Sequence, residues 1–214
     1  MRGQEFWHES LTEQSFLRLQ ELSKEIDLCV IGGWSVWLWT RQHKSRDIDI
    51  LVDFGGLAKL KEKYALEKND RLKKYEIKLG GFDVDIYVPF YSRLAIPIEA
   101  ILEEKVKIDG INTVSAEALL ILKQGAEIAR RGTVKGQKDS IDIISLLIYA
   151  PISIRKYFEL LGRFGKEKYA KELLAAISGF NPADSGRYLG MKYPEFSKKK
   201  KELIGKIKDG YRKL

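Results

Sequence analysis

Ser45-Arg46-Asp47-Ile48-Asp49-Ile50-Leu51-Val52 sets acids against aliphatic residues with a period of two. In a strand that period puts Asp47 and Asp49 on one face and buries Ile48 and Ile50 on the other. A second stretch, Phe82-Asp83-Val84-Asp85-Ile86-Tyr87-Val88, repeats the pattern. Carboxylates crowded on one sheet face repel one another unless a cation neutralises them, and an all-oxygen set suits Mg²⁺ or Mn²⁺ rather than zinc. The rest of the chain agrees: its one cysteine, Cys29, and two histidines, His8 and His43, are far apart and show no zinc-ligand spacing.

Upstream, Ile31-Gly32-Gly33 separates an apolar strand-like run, 26–31, from a helix-like run, 34–41. Glycines at a helix start let backbone N–H groups approach a phosphate, although a plain strand-to-helix turn has the same composition. A magnesium ion held by few protein carboxylates keeps positions for nucleotide phosphates, and two such ions stabilise the attacking and leaving oxygens of an in-line displacement. Phosphoryl or nucleotidyl transfer is the chemistry this arrangement serves. Asp47, Asp49 and Asp85 are the expected carboxylates. Asp83 competes for the third place, and Asp85 is preferred because it lies deeper in the apolar run.

Working outward, residues 10–25 read as a helix, 47–53 as a strand, and a Lys- and Glu-rich helix extends to about 68. Strands at 74–79 and 82–88 meet at Gly80-Gly81, and a further hairpin turns at Asp109-Gly110. Helices dominate from Ser115 onward. The expected class is α+β: a mixed sheet with flanking helices over 1–114, then a helical lobe over 115–214 that ends in a basic helix. Lys123 and Arg130 are seven apart on one helix, and Lys138 and Asp142 four apart on the next, with Asp139 alongside. By spacing alone these are surface ion pairs. Gly132 to Lys138 lacks the ending of a phosphate-binding P-loop and reads as a flexible loop. Trp34 and Trp37 follow helical spacing and are expected to pack the first helix after the Gly-Gly turn; Arg46 is expected to be solvated, and His43 to be an exposed loop residue.

At 214 residues, 44% hydrophobic and 32% charged, the chain is expected to bury a core rather than stay disordered. Glu5, Glu9 and Glu13 stand where a secretory leader needs an apolar stretch, and no window approaches the ~20 apolar residues of a membrane span. With a single, strand-borne cysteine this predicts a cytoplasmic protein with no membrane association. Of the net charge of +8, residues 198–214 supply +6, with eight Lys or Arg against two acids. Such a tail attracts polyanions, RNA for example; Leu203, Ile204, Ile207 and Tyr211 equally mark an amphipathic terminal helix.

Gly32-Gly33, thirteen residues, Asp47-Ile48-Asp49 and a later acid on a neighbouring strand together resemble the DNA polymerase β-like nucleotidyltransferase superfamily. Ser115 to Lys123, Ala126, Arg130 and Lys138-Asp139-Ser140-Ile141-Asp142 resemble the helices of its small members, the AbiEii-type toxins and aminoglycoside-modifying relatives. The resemblance covers roughly 24–149. It implies a polymerase β-like fold and transfer of a nucleoside monophosphate from an NTP to an acceptor hydroxyl, releasing pyrophosphate. It assigns Asp47, Asp49 and Asp85 to Mg²⁺ or Mn²⁺, Gly32, Gly33 and Ser45 to phosphate, Lys123 and Lys138 to the triphosphate, and Asp139 or Asp142 to orienting a lysine or contacting the nucleotide. The alternatives are a nucleotide- or RNA-binding module with little turnover and a toxin paired with an antitoxin-like protein.

Overall fold

The computed structural model describes residues 8–103 and 105–212; Glu5 and the tail residues Lys213 and Leu214 lie outside that range. The chain divides into two compact units between Ser115 and Ala116. The first contains α1 (Glu9–Glu25), β1 (Leu28–Ile31), α2 (Gly32–Thr40), β2 (Ile48–Val52), α3 (Phe54–Lys63), β3 (Glu67–Asn69), β4 (Lys74–Lys78), β5 (Asp83–Tyr87), α4 (Ile98–Glu103), β6 (Val106–Ile108) and β7 (Ile111–Thr113). The second contains α5 (Ala116–Arg130), α6 (Val134–Tyr149), α7 (Ile154–Arg163), α8 (Tyr169–Gly179), α9 (Asp184–Leu189) and α10 (Tyr193–Tyr211).

The seven strands form one mixed sheet in the order β3-β4-β5-β2-β1-β7-β6. β2 runs parallel to β5 and antiparallel to β1, so the two acid-bearing strands are neighbours at the centre. Alternation decides which face is covered. Ile48, Ile50 and Val52 of β2 and Val84 and Ile86 of β5 join Leu19 and Leu22 of α1, Trp34 and Leu38 of α2, and Leu57 and Leu60 of α3 in one apolar core. The acids, one residue out of phase, take the other face. Trp34 is buried, its indole N–H donates to Ser15 Oγ at 2.9 Å, and Phe16 of α1 packs on both Trp34 and Trp37. Cys29 is a buried thiol whose pKa burial pushes up to about 12, so it stays neutral and inert.

Three expectations are corrected. α3 stops at Lys63 rather than near 68, because Tyr64 adopts extended backbone and packs with Leu66 on the core. The chain then forms β3, an exposed, wholly polar edge strand that hydrophobic alternation does not reveal. His43 is buried at 2% exposure, not exposed; it follows Arg41, which ends α2 in the left-handed region at φ 57°. The stretch from Val134 to Lys138 is the first turn of α6 rather than a loop. Thr133 caps that helix by accepting from the Gly136 N–H at 3.1 Å, and a Cβ on Gly136 would come within 2.3 Å of the Arg130 carbonyl.

In the second unit a three-residue turn, Arg131 to Thr133, carries α5 into α6. Buried Gln124 is satisfied internally: it donates to the Tyr169 carbonyl at 2.8 Å and accepts from Tyr157 Oη at 2.8 Å. Buried Glu117 accepts from the Ser153 N–H at 2.8 Å, at the start of α7. Among the described residues no helix is long and apolar enough to cross a membrane.

Candidate active site

Register places the acids. Asp49 stands opposite Asp85 on the parallel pair β2 and β5, and Asp85 stands opposite Glu76 on the antiparallel pair β5 and β4. Three carboxylates thus form a row across three adjacent strands. Asp83 lies two residues before Asp85 on the same face, and its N–H donates to Asp47 Oδ1 at 3.3 Å. Gly32 opens α2 at φ 66°, and a Cβ there would sit 2.0 Å from Asp49 Oδ2. Glycine is required on both counts: by conformation and by the approach of the Asp49 carboxylate. Gly33 is buried in the first turn of α2, whose N-terminus has no side-chain cap. The hydroxyl of Ser45 is close by in sequence and donates to the Asp47 carbonyl at 3.0 Å.

The same face carries cations. Arg46 grips Asp47 with two N–H donors at 3.0 and 3.1 Å instead of extending into solvent. Lys74 Nζ lies 2.9 Å from Glu76 Oε1 and also bonds Asp85; Lys78 Nζ lies 2.9 Å from Glu76 Oε2 and 2.8 Å from Asp83 Oδ2. With Asp47 and Asp85 turned onto these partners, no three acids among the described residues converge on one point. The donor chemistry nevertheless fits a divalent cation: the row is all oxygen, and Asp49 and Asp85 meet in register where Gly32 clears space. Neither Lys74 nor Glu76 was expected from the sequence as a site residue. Their signal was present in Lys74-Tyr75-Glu76-Ile77-Lys78, whose charges alternate with apolar residues as in the two acidic strands.

Burial pushes the Asp85 carboxyl above the usual carboxylate range, against the pull of Lys74. Glu76 goes the other way: its bond to Lys74, helped by Lys78 and Asn69, holds it at about 2. A folded pKa below the ordinary 4.5 stabilises the fold fully above that value and loses the contribution as pH falls towards 2. The urea midpoint of Glu76→Gln is therefore expected to lie below that of the wild type at pH 7, with the gap narrowing at pH 3. A gap of the same size at both pH values contradicts this role for Glu76.

In the helical unit, Lys123 bonds Asp139 at 3.2 Å and Asp142 at 2.7 Å, with both aspartates 1% exposed in their side chains. Arg130 adds a bond to Asp139, and Lys138 lies 3.3 Å from Asp142. This is an interior cluster, not the surface pairing that spacing alone allows. It sets three cations against two carboxylates. Asp139 and Asp142 both hold Lys123, Asp142 at the shorter distance, while the side chains of Arg130 and Lys138 are the more open, at 42% and 18% exposure.

No protein-family model and no curated protein matches the sequence. Solved structures do match. The antibiotic-resistance factor ANT(2'')-Ia is 15% identical, with a TM-score of 0.53 over 77% of this chain and 97% of its own. A Helicobacter pylori protein provisionally described as a nucleotidyltransferase is 14% identical, with a TM-score of 0.50 over 97% of each chain. The chain has the nucleotidyltransferase fold. At such identities the likeness is one of fold. Within the nucleotidyltransferase fold, the row of Asp49, Asp85 and Glu76 and the close approach of Asp49 to Gly32 are features of this chain's own register.

Proposed function

We propose that the protein is a metal-dependent nucleotidyltransferase that moves a nucleoside monophosphate from an NTP to an acceptor hydroxyl and releases pyrophosphate. The observation that carries this reading is the register of Asp49 against Asp85, with Asp49 packed on a glycine whose Cβ would clash with it. Asp47 and Asp49 would hold Mg²⁺ or Mn²⁺, with Asp85 completing the set. The ion, when bound, supplies Lewis-acid stabilisation of the charge that develops on the transferring phosphoryl group. Asp85, whose carboxyl pKa burial raises against the pull of Lys74, would accept the proton of the acceptor hydroxyl. Backbone N–H groups at Gly32 and Gly33 would hold a phosphate against the α2 N-terminus, with Ser45 turning its hydroxyl to the same oxygen. The family resemblance, not a contact between the two units, is what would assign Lys123 and Lys138 to the triphosphate.

The finer placement, beside the AbiEii-type and aminoglycoside-modifying branch, is supported by the Lys123, Arg130, Lys138 and Asp139 pattern, and with it goes a possible protein partner of antitoxin type. When each NTP is tested in turn, at least one should release pyrophosphate with Mg²⁺ or Mn²⁺ in the presence of the right acceptor pool, whether RNA, protein or small molecules, and EDTA should stop it. Absence of release with every pool would sink the proposal.

RNA is the acceptor that the basic tail supports, and α10 narrows which lysines are free to serve it. Lys200 is turned inward and donates to the carbonyls of Ser178 at 2.8 Å and Phe180 at 3.2 Å, closing the C-terminus of α8. Lys199 lies over the Tyr149 ring at 6.0 Å. Phe196 and Ile207 anchor the helix. Replacing Lys198, Lys201 and Lys208 with Gln spares these contacts. That triple variant is expected to weaken single-stranded RNA binding and to lower the salt slope by about 2, at ~0.7 per phosphate contact. A slope equal to wild type would mark α10 as a solvated helix with no part in acceptor binding.

A further inference from the structure

Each outer acid of the site faces a cation of its own chain: Arg46 on Asp47, Lys78 on Asp83 and Lys74 on Asp85. Lys74 differs from the other two. It is buried, at 8% exposure, and it has a second carboxylate within bonding distance, Glu76 Oε1 at 2.9 Å. Glu76 is itself held in place by Lys78 at 2.9 Å and by Asn69 at 3.0 Å.

We propose that Lys74 is a displaceable counter-cation of the metal site: it neutralises Asp85 while no divalent ion is bound and withdraws to Glu76 when Asp85 turns to the ion. The proposal rests on the metal-dependent reading above. An ammonium group and a divalent cation held by one carboxylate a few ångströms apart repel strongly in a partly buried site. Movement of Lys74 off Asp85 therefore removes a repulsion that opposes the ion there. Leaving would strand a buried charge were Glu76 absent, and a stranded buried charge is costly. Because Lys74 and Glu76 are two apart on one strand, they share a face, and the second partner is reached by side-chain rotation alone. Glu76 thus becomes a positioning residue: it fixes where the lysine goes, and through that how readily Asp85 is released. Arg46, Asp47, Asp49, Asp83 and Lys78 are the other charged groups on this face; of these, Lys78 is the control, since it touches Glu76 and Asp83 and not Asp85.

Mn²⁺ titration of the purified full chain, followed by the EPR signal of free Mn²⁺, tests this without any turnover. Lys74→Gln is expected to bind Mn²⁺ at least about tenfold tighter than wild type, since it removes a competing like charge. Lys78→Gln should stay within about twofold. Glu76→Gln should bind more weakly, but not in the Lys74→Gln background, because there is then no lysine to receive; that non-additivity separates displacement from a general change in site charge. Thermal melts establish that each variant folds, and Lys74→Met is the second variant should Lys74→Gln not fold. Equal affinities for wild type, Lys74→Gln and Glu76→Gln, or Lys78→Gln tightening as much as Lys74→Gln, would overturn the proposal and leave the nucleotidyltransferase reading standing if Asp49→Asn loses Mn²⁺. Mn²⁺ binding that Asp49→Asn leaves intact, or absent from every variant, would overturn both.

Discussion

Asp49→Asn is expected to lower nucleotide transfer by more than ~10²-fold while leaving the fold intact, the scale of losing a principal electrostatic stabiliser. Asparagine keeps the shape of the side chain that rests on Gly32 and removes only its charge, so packing at the start of α2 persists. Loss of one charge from the row opposite Asp85 also relieves repulsion, and the melting temperature should not fall. Asp47→Asn should lose transfer likewise, although it also weakens the pair of bonds from Arg46. Asp83→Asn and Asp85→Asn then separate the two candidates for the third acid: Asp85 lies level with Asp49 and should lose more Mn²⁺ affinity than Asp83, which is level with Lys78. Near wild-type transfer by purified Asp49→Asn would remove it from the metal set.

The largest stability effect is expected at Lys123. Methionine there leaves Asp139 and Asp142, each 1% exposed, without their shared cation. Breaking a buried pair costs about 3–5 kcal/mol, and the lower end applies because Arg130 and Lys138 still contact the two acids. At roughly 2–4 °C per kcal/mol for a chain of this size, the melting temperature should fall by roughly 6–12 °C. Converting Asp139 and Asp142 to asparagine in the Lys123→Met background should restore much of the loss, since it removes the stranded charges. A fall of less than about 2 °C for Lys123→Met would show that the cluster is solvated.

The central strands were legible because each alternates acid with aliphatic residues, and a period of two needs no partner to be recognised. Asp47-Ile48-Asp49-Ile50 and Asp83-Val84-Asp85-Ile86 therefore placed both faces correctly, and Gly32 carried its own signal. β3 was hidden because Glu67-Lys68-Asn69 has no apolar residue to betray its phase. The pairing of Lys74 and Glu76 with Asp85 depends on register between strands joined by a turn, which local sequence does not specify. His43 and the start of α6 were misjudged for a similar reason. His43 follows a left-handed turn at Arg41, and α6 starts at a Thr133 cap beside Gly136, where a Cβ would clash with the Arg130 carbonyl; spacing announces neither. Lys123 and Asp142 are nineteen residues apart in sequence, and no spacing rule distinguishes a buried cluster on two packed helices from surface pairs.

Parallel reactions with α-labelled and γ-labelled NTP test the central claim most directly. With Mg²⁺ or Mn²⁺ and the productive acceptor pool, the α-label is expected on the acceptor and the γ-label in pyrophosphate, neither being transferred by Asp49→Asn. Transfer of the γ-label to the acceptor, or no transfer of the α-label to any pool, would contradict nucleotidyl transfer by this protein.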